Sequence, residues 1–168
     1  LDKIYDGSAA ATIDGNSLAL QTPVAGDDVS LSAAAVFADP TVGAGKTVSL
    51  SGSSLSGPDA GNYTLTLAAA PTTTADISAK ALTVTGASAD DKVYDGTTDA
   101  AISGAALTGV VVGDDVSLGS LTGAFDQADV GTDIPVAATL TLAGSDAGNY
   151  TLTQPAGLTA DITALELT

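Results

Sequence analysis

The heptapeptide DAGNYTL stands at Asp146–Leu152, and the same seven residues stand at Asp59–Leu65. Asp, Gly and Asn favour turns, and the Tyr-Thr-Leu that follows them alternates apolar and polar side chains as a half-buried strand does. The stretch therefore predicts a turn that leads directly into a strand. Because it occurs twice at a distance of roughly 87 residues, it predicts two copies of one small β domain.

Two other segments repeat in the same order at nearly the same distance. The first is KIYDG at Lys3–Gly7, which returns as KVYDG at Lys92–Gly96. The second is GDDVSL, which begins at Gly26 and again at Gly113. Three motifs in one order at one spacing indicate a tandem array, and each copy of about 85 residues has room for one modest core.

The composition restricts the possible functions. The 168 residues include 20 acids and only 4 Lys and Arg, and the net charge of −16 repels nucleic acid and anionic membrane surfaces. The chain has no His and no Cys, which supply most acid–base and nucleophilic chemistry at neutral pH, so we expect no enzyme activity. We see no apolar run long enough for membrane insertion in this segment.

Apolar residues alternate with polar ones in several segments, and no segment has a convincing helical period. Apolar side chains stand at every second position in Val48–Leu50, Leu82–Val84 and Val136–Leu142. Turn signals separate these segments, among them Asp14–Asn16. The pattern predicts an all-β fold of two tandem antiparallel β-sandwiches arranged end to end.

The D-x-G-x-Y-x-L pattern of Asp59–Leu65 and Asp146–Leu152 resembles the D-x-G-x-Y-x-C segment of immunoglobulin domains, with Leu in the place of Cys. The resemblance implies an immunoglobulin-like sandwich in which the Tyr hydroxyl bonds backward to the chain. A β-grasp-like roll is the alternative fold.

The repeats predict the domain boundaries. We expect a first repeat over 1–79, a second over 80–163, and the start of a following repeat's opening strand over 164–168, because Ala164–Thr168 aligns with Ala79–Thr83. The first repeat has no counterpart of the strand that opens the second. The segment is therefore expected to be an excerpt of a longer array, or a subunit in which a terminal strand of one molecule completes the next.

The repeated motifs contain the candidate structural site residues. In each copy, Asp-Gly of the KxYDG motif predicts a turn, Lys an ion pair with the neighbouring Asp, and Tyr a buried ring with a bonded hydroxyl. The Asn before the later Tyr is expected in a left-handed turn. These residues are Lys3, Tyr5, Asp6, Gly7, Asp59, Gly61, Asn62 and Tyr63 in the first copy, and Lys92, Tyr94, Asp95, Gly96, Asp146, Gly148, Asn149 and Tyr150 in the second.

Nearly all the acids are Asp, which is both a turn residue and a calcium ligand. Most of them are expected to be solvated loop carboxylates. No cofactor is expected, with calcium as the one candidate metal. A weakly bound Ca²⁺ is the sharper alternative, if the loops converge. Its ligands would be Asp27, Asp28 and Asp59 in the first copy and Asp114, Asp115 and Asp146 in the second.

In each copy the motifs KxYDG, GDDVSL, DAGNYTL and ADI(S/T) follow one another in this order. This series resembles the YDG-type repeat of large bacterial surface proteins, including adhesins and filamentous-haemagglutinin-like exoproteins. The resemblance spans essentially the whole chain and implies an extracellular location on the bacterial cell surface, tandem arrays and no catalytic residues.

The expected function is therefore a structural repeat unit of an extracellular stalk or fibre. Its partners would be neighbouring repeats of the same protein, joined end to end, or further copies in a homopolymer. The alternative is an adhesion module that binds glycan or a host surface, which the Thr-rich faces of the predicted strands would allow.

Overall fold

Short β-strands form nearly all of the regular structure in both halves of the chain. The computed structural model describes residues 1–14 and 18–168 and divides into two units, Leu1–Ala79 (unit 1) and Lys80–Thr168 (unit 2). The predicted turn at Asp14–Asn16 lies mostly outside the described residues. In the described ranges, no helix has the length and apolar character needed to cross a membrane. The all-β prediction is confirmed.

Unit 1 contains a five-stranded sheet and a separate strand pair. Its strands are β1 (Lys3–Ile4), β2 (Ala10–Ala11), β3 (Ser30–Ser32), β4 (Ala35–Phe37), β5 (Gly43–Leu50), β6 (Ser54–Ser56) and β7 (Thr72–Ser78). The larger sheet has the strand order β1-β7-β5-β4-β2, and β3 pairs with β6.

Unit 2 contains a six-stranded sheet and a three-stranded sheet. Its strands are β8 (Lys80–Thr85), β9 (Ser88–Ala89), β10 (Lys92–Val93), β11 (Asp99–Ser103), β12 (Ala106–Thr108), β13 (Ser117–Phe125), β14 (Gly131–Ala143), β15 (Tyr150–Thr153) and β16 (Leu158–Thr163). The larger sheet has the order β10-β16-β14-β13-β11-β9, and the smaller one has the order β12-β8-β15.

The sheets are mixed, so the prediction of purely antiparallel sheets is wrong. β1 pairs in parallel with β7, β10 with β16, and β15 with β8, whereas the other pairs are antiparallel. A period-two pattern shows which side chains are buried and carries no information on the direction of the neighbouring strand. Strand direction follows from the path of the chain between strands.

Alternating strands build the cores as the pattern predicts. In β14, Ile134, Val136 and Leu140 are buried, and the residues between Ile134 and Val136 and on either side of Leu140 are exposed. Together with Phe125 and Ile162 they form the centre of the unit 2 core. The buried apolar residues of unit 1 are Tyr5, Ala35, Phe37, Val48, Ala75 and Ile77.

Each DAGN segment forms a short 3₁₀ helix, Ala60–Asn62 or Ala147–Asn149. The left-handed geometry expected for Asn is wrong, because Thr22 and Asp133 are the only non-glycine residues with positive φ in the described part of the chain. The Asn N–H instead donates to the carbonyl of the preceding Asp at 3.0 Å in both units. The Asn therefore closes the helix.

The strand predicted after this turn forms in one unit only. Tyr150–Thr153 is β15 and pairs with β8, whereas Tyr63–Thr66, with the same sequence, forms no strand. Identical local propensity gives two outcomes because a strand also needs a hydrogen-bonding neighbour.

We expect Gly144→Ala to lower the free energy of unfolding of unit 2 by more than about 2 kcal/mol. Gly144 has φ of +109°, and an added Cβ would lie 2.1 Å from the Asp115 carbonyl oxygen. Gly148→Ala is the matched control, since a Cβ there meets no atom within 4 Å, and it should cost less than about 0.5 kcal/mol. Thermal unfolding followed by circular dichroism measures both changes, and equal stabilities would contradict the steric argument.

Candidate functional site

The lysine of each KxYDG motif is enclosed by its own turn. In unit 1, Lys3 Nζ donates to Asp6 Oδ1 at 2.7 Å and to the carbonyl oxygens of Ser8 at 2.8 Å and Ala10 at 3.1 Å. It also lies 5.8 Å from the centre of the Phe37 ring, within cation–π range. One ammonium group therefore binds several groups along the segment between β1 and β2.

Unit 2 repeats this arrangement with different neighbours. Lys92 Nζ lies 2.7 Å from Asp95 Oδ1 and donates to the carbonyl oxygens of Thr97 at 2.8 Å and Asp99 at 3.1 Å. Its distance to the centre of the Phe125 ring is 5.6 Å. The ion pair expected from the sequence is thus present in both copies.

The carboxylates of these turns are strongly biased toward the charged form. The lysine lowers the pKa of Asp6 and of Asp95 from 3.8 to about 2, and further hydrogen bonds from residues Ser8 and Thr97 add to the effect. The Asp-Gly turn also has the expected backbone, since the following Gly has φ of +80° in unit 1 and +78° in unit 2. The lysine–aspartate ion pair and the backbone conformation of the Asp-Gly turn therefore stabilise the same segment.

The tyrosine of the same motif behaves differently in the two units. Tyr5 is 5% exposed, whereas Tyr94 is 40% exposed. Both backbone N–H groups donate to the end of the last strand of their own unit, at Ser78 and Thr163. The buried ring predicted for this tyrosine is therefore found in unit 1 and is absent in unit 2.

One further lysine pair has no counterpart in the other unit. Lys46 Nζ donates to the Asp39 carboxylate, which lowers the pKa of Asp39 to about 2 together with hydrogen bonds from Thr41. By alignment of β5 with β14, Ile134 stands in unit 2 where Lys46 stands in unit 1. This pair is therefore a local feature of unit 1.

The tyrosine hydroxyl of DAGNYTL forms hydrogen bonds with a loop that is distant in the sequence. In unit 2, the Tyr150 hydroxyl donates to Asp114 Oδ2 at 2.6 Å and accepts the Val111 N–H at 3.0 Å. The hydroxyl reaches backward along the chain, as the immunoglobulin resemblance implies, but it reaches a loop 39 residues earlier. This contact joins the GDDVSL and DAGNYTL motifs into one site.

Unit 1 has the same contact at an equivalent place. The Tyr63 hydroxyl donates to Asp27 Oδ2 at 2.7 Å and accepts the Val24 N–H at 2.9 Å. The hydrogen bond to Asp27 raises the pKa of Tyr63, and burial together with the bond to Asp114 raises the pKa of Tyr150.

The acid that opens DAGNYTL holds the same loop from the other side. Asp146 Oδ2 accepts the Asp115 N–H at 2.9 Å, and Asp59 Oδ2 accepts the Asp28 N–H at 2.8 Å. The reverse bond, from the Asp N–H to the partner's carbonyl, is 3.2 Å long in both units. Each loop is thus fixed by a reciprocal pair of hydrogen bonds.

Two more repeated acids bind backbone groups, and the sequence analysis did not single them out. In unit 2, Asp161 Oδ1 accepts the Asp133 N–H at 2.8 Å, and Asp91 Oδ1 accepts the Asp161 N–H at 2.8 Å. The equivalent bonds of unit 1 join Gly45 to Asp76 and Asp76 to Asp2. The available signal was the repeat of the ADI(S/T) motif, which contains Asp76 and Asp161.

The described residues contain no cluster of ligands for the calcium ion that the sequence suggested. Residues 1–14 and 18–168 contain no group of three or more His, Cys, Asp or Glu side chains arranged to hold a metal ion. The loops do converge, but the carboxylates of Asp27, Asp59, Asp114 and Asp146 accept hydrogen bonds from Tyr hydroxyls or backbone N–H groups. In the structure these four carboxylates hold the loops together, and calcium binding stays a prediction.

A model of the YDG domain family matches the chain twice, over residues 1–74 and 78–157. The two matches cover most of the sequence, so the chain belongs to the YDG domain family. Comparisons with curated proteins and with solved structures found no match.

We expect Lys92→Met to reduce the stability of unit 2 at neutral pH and to make it less sensitive to acid. The lowered pKa of Asp95 means that its contribution is present above pH 3.8 and is lost as the pH falls toward 2. The difference in melting temperature between the wild type and Lys92→Met should therefore shrink over that range. Asp95→Asn is the control and should show the same loss of acid sensitivity; a difference that is constant with pH would refute the assignment.

We expect Tyr150→Phe to cost about 1–3 kcal/mol, because the half-buried partners of the hydroxyl, Asp114 and the Val111 N–H, lose their hydrogen bonds. Tyr94→Phe is the matched control, since Tyr94 is 40% exposed, and it should change the free energy of unfolding by less than about 0.5 kcal/mol. Chemical denaturation of the three proteins measures the difference. Equal costs at the two positions would show that the loop contact adds no stability.

Proposed function

We propose that this chain is a structural segment of a stalk or fibre on the bacterial cell surface, built from YDG domains in tandem. Two family matches follow each other with only residues 75–77 between them. The two copies differ at many positions but keep the residues that clamp their loops. Repetition of a scaffold, rather than of a reactive site, is what a load-bearing array requires.

One observation carries the proposal: the repeated polar side chains bind backbone and side-chain groups of their own unit. Lys92, Asp146 and Tyr150 each direct their polar atoms to main-chain or side-chain partners of the same unit, and their unit 1 equivalents do the same. Residues of a ligand site would instead leave bonding capacity directed outward. The repeated motifs are therefore explained by the needs of the fold.

The charge of the chain is consistent with this role. A net charge of −16 on 168 residues keeps neighbouring chains apart in solution and at the cell surface. We accordingly place the protein outside the cell, in the adhesin context that YDG-type repeats suggest, and we assign it no catalytic activity.

We also propose that each unit is a two-layered sandwich of the immunoglobulin-like kind. In support, Val84 of β8 and Leu152 of β15 pack against the core cluster whose centre lies in the six-stranded sheet. Side chains from both sheets of unit 2 therefore contribute to one core, as in a two-layered fold.

Small-angle X-ray scattering of the 168-residue chain tests the stalk proposal. A single compact body of this length would have a radius of gyration of about 15 Å. A stalk segment should give a value above about 20 Å, with the monomer mass confirmed by light scattering at the same concentration.

A radius of gyration near the compact value would contradict the proposal. A glycan array is the companion measurement, because specific glycan binding would favour the adhesion module over the stalk. Loss of that binding on substitution of equivalent exposed residues in both units would locate the ligand on the repeat itself.

A further inference from the structure

The loop between β4 and β5 contains the only Asp-Pro bond of the sequence, Asp39–Pro40. Proline makes this bond a tertiary amide. An aspartate carboxylate on the acyl side of such a bond can close a five-membered ring by attacking its own main-chain carbonyl carbon, and the proline nitrogen, once protonated, is the leaving group. The sequence therefore places a nucleophile beside a bond that it is able to break.

The structure turns the Asp39 carboxylate back toward this bond. Asp39 Oδ1 accepts the Thr41 N–H at 3.0 Å and also accepts a hydrogen bond from the Thr41 hydroxyl. A hydrogen bond from the N–H two residues further on defines an Asx turn, in which the side chain folds over its own backbone. The carboxylate is thus held near the Asp39–Pro40 bond, although half of the side-chain surface is exposed.

Lys46 of β5 brings an amine to the same carboxylate. Its Nζ donates to Asp39 Oδ1 and, at 3.1 Å, to Thr41 Oγ1. Because Oδ1 is bonded to Cγ, the lysine nitrogen lies one atom away from the carbon with which it can form an amide. The lysine side chain is only 11% exposed, so it has little freedom to leave this position.

Unit 2 shows that the fold does not require these groups. β5 and β14 are equivalent strands, and each has a register shift at its beginning. The residues of unit 2 that stand in the places of Asp39, Pro40 and Lys46 are Gln127, Ala128 and Ile134. The carboxylate, the proline and the amine therefore occur together in unit 1 and are replaced together in unit 2.

We propose that Asp39, Pro40 and Lys46 form a self-processing site, which exchanges the Asp39–Pro40 peptide bond for an amide between the side chains of Asp39 and Lys46. The reaction occurs once in each molecule, so it is not enzyme turnover, and it needs no cofactor or second substrate. It goes beyond the stalk function and does not depend on it.

The bonds and protons of the exchange balance. The Asp39 carboxylate attacks the main-chain carbonyl carbon of Asp39, the C–N bond to Pro40 breaks, and a cyclic anhydride forms. The Lys46 ammonium group gives one proton to the leaving Pro40 nitrogen and becomes a neutral amine. This amine attacks Cγ of the anhydride and passes a second proton to the Pro40 nitrogen, while the released oxygen remains on Asp39 as an α-carboxylate. One amide is broken and one is formed, so no water is gained or lost.

The ionisation of Asp39 favours this route over direct condensation. The hydrogen bonds from Lys46 and Thr41 lower the pKa of Asp39 to about 2, so the carboxylate is charged and nucleophilic at neutral pH and in mild acid. Direct condensation of the lysine with the side chain would instead need the protonated acid and would release one water. The two routes therefore differ in the mass of their products.

Intact-mass measurement and tryptic peptide mapping of the 168-residue chain, before and after incubation in mild acid, test the proposal. We expect an unchanged intact mass, a new N-terminal amine at Pro40 and no tryptic cleavage after Lys46. Fragmentation of the resulting branched peptide should locate the new amide between Asp39 Cγ and Lys46 Nζ. The Gln127–Ala128 bond is an internal control and should stay intact in the same digest.

Two variants separate cleavage from capture, with circular dichroism to confirm that each is folded. Lys46→Arg keeps the positive charge but offers no neutral amine, because arginine stays protonated. It should form no cross-link, and any chain cut at Asp39–Pro40 should gain one water. Pro40→Ala keeps the Asp39–Lys46 pair and replaces the tertiary amide by a secondary one, which should lower the yield of cross-link at least tenfold.

Four results would overturn the proposal. An Asp39–Pro40 bond that stays intact after incubation would make Asp39 and Lys46 an ordinary ion pair. An intact bond with the loss of one water would show direct condensation. Cleavage of the wild type with the gain of one water would show that water, and not Lys46, opens the anhydride. An undiminished cross-link in Pro40→Ala would show that the Asp-Pro bond takes no part.

Discussion

A short carboxylate that accepts a backbone N–H from a neighbouring loop is the interaction on which both units depend. Asp59 and Asp146 bind the GDDVSL loop in this way, and Asp76 and Asp161 bind the bulged strand beside them. With aromatic residues at only 4% of the chain, the cores are too small to order long loops by packing alone. Charge-assisted hydrogen bonds to the main chain compensate, and they explain why the acids are Asp, whose side chain is short enough to reach a nearby N–H.

The lysine of the KxYDG motif binds main-chain carbonyl oxygens, whereas the carboxylates bind main-chain N–H groups. Its ammonium group gathers carbonyl oxygens from a segment that makes few sheet hydrogen bonds, and the aromatic ring beneath it limits where it can sit. A cation and several anions thus bind main-chain groups of the same small domain. The strongly acidic surface is a consequence of this construction as much as a means of keeping chains apart.

The two units show how far one sequence pattern can lead to different structures. The Tyr and Asp of each DAGNYTL motif make the same loop contacts in both units, at 2.9 and 3.0 Å for the Tyr hydroxyl and at 2.8 and 2.9 Å for the Asp carboxylate. Yet among the residues that the structure describes, a three-stranded sheet forms only in unit 2, where β8 supplies its middle strand. The clamps are local to each repeat and form regardless, whereas the smaller sheet depends on a strand that stands outside the KxYDG-to-ADI(S/T) block. The loop contacts of a repeat therefore form within that repeat, whereas its smaller sheet needs a strand from outside the block. This construction suits a protein made of consecutive repeats.

The sequence by itself determined the repeat, its all-β character, the alternating core strands such as β14, and the lysine–aspartate pair of each KxYDG turn. These features are periodic or local, so they can be recognised from spacing alone. Tertiary structure decided the parallel pairing of β1 with β7, the 39-residue reach of the tyrosine hydroxyl, and the use of the predicted calcium ligands as hydrogen-bond acceptors. It also decided that Tyr150–Thr153 is a strand and that the identical Tyr63–Thr66 is not. Each of these outcomes depends on which distant segment lies alongside, and the residues of one segment do not encode that neighbour.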